Sequence, residues 1–129
     1  MSGVPQPMTD ERRAQRRLGQ ALLDEVVAEL EVLPGASRRR MFGSEGLFAF
    51  GRVVAFVDGD GSLVVKVPAE QATELVAAGS AEHVRMGRSP AREWVSVPRI
   101  GEAEDVRSLW ERLVRVSYDV VSSATPSSS

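Results

Sequence analysis

Between residues 37 and 67 the chain is cut into short Val- and Phe-rich runs by Gly43, Gly46, Gly51, Gly59 and Gly61. Runs of that length, bounded by turn residues, suit antiparallel strands and leave no room for helices. Three or four strands are predicted there. The clearest pair is 53–57 and 62–67, joined by Asp58-Gly59-Asp60-Gly61, whose glycines and aspartates suit the positive-φ positions of a tight reversal. In its second strand Leu63, Val65 and Val67 share one face, opposite Val64 and Lys66.

On both sides of this block the period becomes helical. Thr9 can cap a helix with Asp10 and Glu11 in its first turn and apolar residues at Ala14, Leu18, Leu22, Val26, Leu30 and Leu33. Pro34-Gly35 is expected to end it. Pro68 can open a short helix over 69–78, with Ala72, Leu75 and Val76 as its apolar side and Gly79 beyond its end. A weaker hairpin is expected between Val84 and Val97, with Gly87-Arg88-Ser89-Pro90 as its loop and a strand at 93–97 presenting Trp94 on one face. The last helix, about 102–121, places Val106, Leu109, Trp110, Leu113, Ser117 and Val120 at helical spacing. The order helix, three or four strands, helix, two strands, helix predicts an α+β fold with an antiparallel sheet covered by helices. One domain is read over 9–121, after a flexible N-terminus at 1–8 and before a disordered Ser-rich tail at 122–129.

The chain has no cysteine and a single histidine, His83, which removes disulfides, thiolate metal sites, a Cys nucleophile and a His-rich metal cluster. No metal and no cofactor is expected. Sixteen basic residues against eighteen acidic ones leave a net charge of -2, so the chain as a whole lacks the basic footprint of a non-specific nucleic-acid binder. All the basic residues except Lys66 are arginine, a bias read first as genome composition and second as bidentate anion recognition. No signal-peptide core or membrane-length apolar stretch is present, and a cytoplasmic location is expected.

Two arginine groups are the candidate binding residues. Arg38-Arg39-Arg40 offers forked donors to phosphate or to a carboxylate-bearing partner, although strand alternation puts Arg38 and Arg40 together and Arg39 apart. Arg12, Arg13, Arg16 and Arg17 occupy the start of the first helix while Asp24, Glu25, Glu29 and Glu31 lie towards its end, opposite to what the helix dipole favours. Either a second copy pairs antiparallel and sets each basic half on the other's acidic half, or other parts of the same chain or solvent meet these charges.

Other patterns have plainer explanations. Gly43-Ser44-Glu45-Gly46 has the spacing of a backbone-clamping GXXG loop, but it lies between strands and carries Glu45 where phosphate would sit, so it is read as a turn. Asp58, Asp60 and Ser62 match the first ligands of a calcium loop whose twelfth position is Ala69 rather than Glu, which favours a hairpin turn. Lys66 is read as a snorkelling or ion-paired strand lysine and His83 as a surface or boundary residue. Met41, Phe42, Leu47, Phe48, Phe50 and Phe56 can stack bases, but core packing is the favoured use of this block.

Arg39-Arg40-Met41-Phe42-Gly43, then Gly46-Leu47-Phe48, Leu63-Val64-Val65-Lys66 and Ser96-Val97-Pro98, in that order, resemble the N-terminal domain of the TfoX/Sxy family over about residues 18–121. Ser44 and Glu45 replace the glycine and aromatic residue usual in the first motif. Val64 and Val65 precede the lysine where an aromatic and an aliphatic residue usually stand, and Trp94-Val95 replaces a tyrosine-rich strand. The resemblance implies a secretion-chaperone-like α+β fold. It also implies kinship with regulators of natural competence that carry a second, helical domain and act with the cyclic-AMP receptor protein at promoters. The chain stops after its third helix, so that second domain is expected to be absent.

The expected function is therefore a non-enzymatic regulatory or adaptor domain that binds another protein, with the transcription machinery as candidate partner, as a homodimer. Arg38, Arg39, Arg40 and Lys66 are its candidate contacts. The alternative is a nucleic-acid-binding module using Arg12, Arg13, Arg16 and Arg17 with the strand arginines. A small enzyme using Glu45, Glu93 or Lys66 is the third and weakest reading.

Overall fold

The structure, a computed structural model, describes residues 10–41, 44–86 and 89–124. Its elements are α1 (Asp10–Ala28), β1 (Ala36–Met41), β2 (Ser44–Ala49), β3 (Arg52–Val57), β4 (Leu63–Lys66), α2 (Ala69–Ala77), β5 (Glu82–Met86), β6 (Ser89–Val97) and α3 (Ala103–Ala124). The six strands form one sheet in the order β1-β2-β3-β4-β6-β5, antiparallel at every pairing. β4 and β5 both run antiparallel to the β6 between them, and α2 is the crossover that joins them. The α+β architecture expected from the sequence is the one found.

Register decides which side chains are inside. Leu47 faces Ala55, Ala55 faces Val65 and Val65 faces Val95, a row in which every residue is fully buried. Val57, Leu63 and Val97 form the next row. These residues share one core cluster with Leu23, Val26 and Val27 of α1, Ala72 of α2 and Trp110, Leu113 and Val114 of α3, so all three helices cover the same side of the sheet. Val64, between Leu63 and Val65, is buried but lies outside that cluster, as strand alternation requires.

A β-bulge adjusts this side. Leu47 pairs with Ala55 but Phe48 pairs with Val53, which leaves Val54 as the extra residue of β3. Val54 and Ala55 are consequently both fully buried. The Ser117 hydroxyl of α3 donates to the Val54 carbonyl at 2.7 Å and accepts the Lys66 N–H at 3.0 Å. One side chain thus bridges β3 and β4 where their backbone ladder stops. Ser117→Ala is expected to cost about 2 to 3 kcal/mol, because a buried carbonyl and an N–H both lose their partner. Urea denaturation gives the loss, and faster amide exchange at Lys66 locates it.

Four local expectations need correction. α1 ends at Ala28 rather than running on to Pro34-Gly35, and turns such as Leu30 N–H to the Val27 carbonyl and Leu33 N–H to the Leu30 carbonyl carry the chain from there into β1. Leu18, expected on its buried face, is 54% exposed, while Gly19, Leu23, Val26 and Val27 are buried. A strict four-residue spacing drifts by roughly 40° per step around a helix, whereas 19, 23, 26 and 27 stay on one stripe. β6 begins at Ser89, so Ser89-Pro90 belongs to the strand and not to the loop. α3 continues to Ala124, three residues into the segment expected as tail. The Thr9 cap, Phe42, the Gly87-Arg88 turn and the last five residues lie outside the described residues.

The aromatic block needs correction as well. Leu47 is its buried member; Phe48 and Phe56 are half-buried on the face without helices, and Phe50 is exposed in the β2–β3 turn. Phe50 holds a positive φ of 53°, and its ring lies against Gly35, where a β-carbon would collide with it. The core is instead built from valine, leucine and alanine around Trp110, because Leu47, Val54 and Val57 take the inward positions of their strands.

Candidate functional site

The side of the sheet opposite the helices is the first candidate. Phe48 lies beside Val53, Phe56 beside Val64 and Lys66 beside Trp94 across neighbouring strands, which makes a half-buried apolar surface. The guanidinium of Arg39 stands over the Phe48 ring, 5.2 Å from its centroid. At the other end Lys66 lies 3.7 Å from Glu93, the ion-paired one of the two readings the sequence leaves open for it. Arg52, Val53, Lys66, Trp94 and Val121 line a hollow of about 200 Å³ where β3 and β4 part.

The second candidate is a cleft of about 510 Å³ between the first half of α1 and the β1–β2 hairpin. Arg13, Arg16, Arg17 and Gln20 line it from the helix, and Arg40, Ser44 and Glu45 from the hairpin. Arg13, Arg17, Gln20 and Asp24 recur at three- and four-residue steps, which puts them on one side of α1. Arg40 and Glu45 face each other across β1 and β2. Arginines from both groups singled out in the sequence therefore meet here.

The remaining arginines go elsewhere. Arg38 is clamped by three carboxylates, Asp24, Glu31 at 3.2 Å and Glu45 at 3.1 Å, so it is a structural cation that ties β1 to α1. Arg39 is on the other face, as strand alternation foretold. Arg12 turns to Asp60 of the β3–β4 turn at 2.7 Å, and Arg107 of α3 pairs with Glu25. The reversed charge order of α1 is thus met largely inside the chain. Sequence reasoning missed Gln20 and Ser44 in the cleft and assigned Phe48 and Phe56 to the core rather than the open face; the available signal was the alternation within β2 and β3, obscured by the bulge.

Asp58 and its neighbours form the hairpin turn expected of them. Its Oδ1 accepts the N–H groups of Asp60 at 2.9 Å and Ser62 at 3.0 Å, and its Oδ2 accepts the Ser96 hydroxyl at 3.3 Å. His83 is half-buried beside α2, and its Nδ1 has no hydrogen-bond partner among the described residues. Glu45 and Glu93 lie in different places, one held by Arg38 and the other beside Lys66. Among the described residues no group of three or more His, Asp or Glu is placed to hold a metal ion, and no helix is long and apolar enough to cross a membrane.

A single antiparallel sheet, covered on one side by three helices and bare on the other, defines an α+β domain with one open face. The chain belongs to the TfoX N-terminal domain family, whose model matches residues 28–121, a family of regulatory, competence-type domains. The match takes in the whole sheet, α2 and most of α3, but omits the arginine-bearing half of α1. No curated protein and no solved structure matches the chain.

Proposed function

We propose that the chain is a non-enzymatic, cytoplasmic regulatory domain that acts as an adaptor, docking an acidic surface of another protein on the uncovered face of its sheet. One observation carries this reading: half of the sheet's side chains, with Phe48, Phe56, Val53 and Trp94 among them, face away from the helices, and Arg39 and Lys66 stand around them. Aromatic side chains beside arginine are the composition of interface anchors, and the basic rim selects a partner of opposite sign. The family's regulatory character points to a component of the transcription machinery as that partner. The homodimer suggested by α1 has a weaker motive, since Asp24, Glu25 and Glu31 already have arginine partners within the chain.

The test is co-purification from native lysate with and without nuclease, comparing the wild type with Arg39→Glu/Lys66→Glu and with Arg112→Glu, an exposed change on α3. The expected result is a nuclease-resistant partner captured by the wild type and Arg112→Glu and lost by the double variant, whose fold is checked by circular dichroism. Undiminished capture by the double variant refutes the docking face. Capture that disappears with nuclease replaces the adaptor reading with nucleic-acid binding.

A further inference from the structure

The arginine cleft is separate from the open face, and its construction opposes the stability of the helix that carries it. Arginines near a helix N-terminus face the positive end of the dipole, and like charges three and four residues apart repel. Among the described residues neither Arg17 nor Arg40 has a carboxylate within ion-pair distance, although Asp24 and Glu45 line the same cleft. Those two carboxylates are drawn instead to Arg38, which leaves Arg17 and Arg40 to whatever enters. Departures from local stability rules of this kind concentrate at functional sites.

We propose that this cleft binds a compact anion carrying two or more linked phosphate groups. Guanidinium forks from two elements, Arg17 on α1 and Arg40 on β1, converge on one volume, and such forks match phosphate oxygens in pairs. A volume of about 510 Å³ lies within the range of small-ligand pockets. Asp24 and Glu45 line the cleft beside the arginines, so a phosphodiester strand running through it meets carboxylates, whereas a short phosphate chain can be held by the guanidiniums alone. The described lining also has no aromatic ring, the platform on which single-strand binders stack bases. The site goes beyond the adaptor reading and shares no side chain with the face on which that reading rests.

Isothermal titration of the full chain with inorganic pyrophosphate tests the assignment, with inorganic phosphate and a short DNA duplex as the other arms. Saturable pyrophosphate binding is expected, tighter than that of inorganic phosphate. Arg17→Ala/Arg40→Ala is expected to weaken it about tenfold or more, whereas Arg39→Ala, on the other face, leaves it unchanged. Arg17 and Arg40 are both exposed, so the double variant retains the fold. No saturation at millimolar pyrophosphate overturns the proposal, as does undiminished binding by the double variant. Equal affinity for phosphate and pyrophosphate overturns the linked-phosphate requirement. Duplex DNA that displaces pyrophosphate, with an affinity falling steeply with salt, makes the cleft a backbone groove and overturns the compact ligand.

Discussion

Gly61→Ala is expected to lower the stability of the domain by about 3 to 5 kcal/mol, a large part of the ~5–15 kcal/mol that holds a domain folded. Gly61 has a φ of +83°, where a β-carbon is strained in any setting. That carbon would also fall on the carbonyl of Gln15 in α1. The converse contact is as close: a β-carbon on Gly19 would fall on the Gly61 carbonyl and lie 2.8 Å from its carbonyl carbon. The β3–β4 turn and α1 therefore meet backbone to backbone, flanked by the Arg12–Asp60 pair and by Arg99, which donates to Gln15. Gly19→Ala separates the two effects. Alanine gains about 1 kcal/mol of helix propensity there, yet the variant should be less stable than wild type because the hairpin must move away. Gly51→Ala is the control, with a φ of +82° and nothing within 4 Å of the added carbon, and should cost only about 1 to 2 kcal/mol. Urea midpoints with an unchanged denaturant slope give the three values, and a stable Gly61→Ala protein contradicts the contact.

Trp110→Ala should be of similar size, about 3 to 5 kcal/mol. Trp110 is the largest fully buried side chain and belongs to the cluster that joins α1, α3 and the sheet. Its removal leaves a void that β-strand backbone on one side and helices on the other cannot both collapse to fill. Trp110→Phe makes a sharper prediction. The indole Nε1 is buried and finds no acceptor among the described residues, so phenylalanine loses volume but also removes an unpaired donor. The two effects offset, and the cost should stay below about 1.5 kcal/mol. The Trp110→Phe protein also retains Trp94 as its one tryptophan, so its emission reports directly on the open face. A partner docking there should shift that emission to the blue.

The parts of the fold that were legible in the sequence are those specified by local chemistry. The aspartates and glycines of the β3–β4 turn, the alternation of Leu63, Val65 and Val67, and the proline and glycine around α2 each state their structure within a few residues. The fate of Phe48 and Phe56 was not legible, because it depends on one residue, Val54, being extra in β3. A bulge alters the inside-outside count of a strand without changing its composition. The arginines show the same limit at the level of the site. Arg38, Arg39 and Arg40 look alike in sequence, yet one is clamped by three carboxylates, one covers an aromatic ring and one faces the cleft. Alternation separated the middle one from its neighbours. What distinguished Arg38 from Arg40 was the position of Asp24 and Glu31 on a helix packed against them, a tertiary fact with no signal in the strand itself.

β1 is one of the two edge strands of the sheet, and Arg38, Arg39 and Arg40 sit at its centre. An outermost strand exposes unpaired backbone groups that can template the addition of further strands, the first step towards fibrous aggregates. Three successive arginines place positive charge on both faces of that rim, so a second molecule approaching through its own β1 sets arginine against arginine in either register. Self-association along this rim is thereby suppressed at the stage of encounter. The run thus also opposes edge-to-edge pairing between copies of a sheet that already has one bare face.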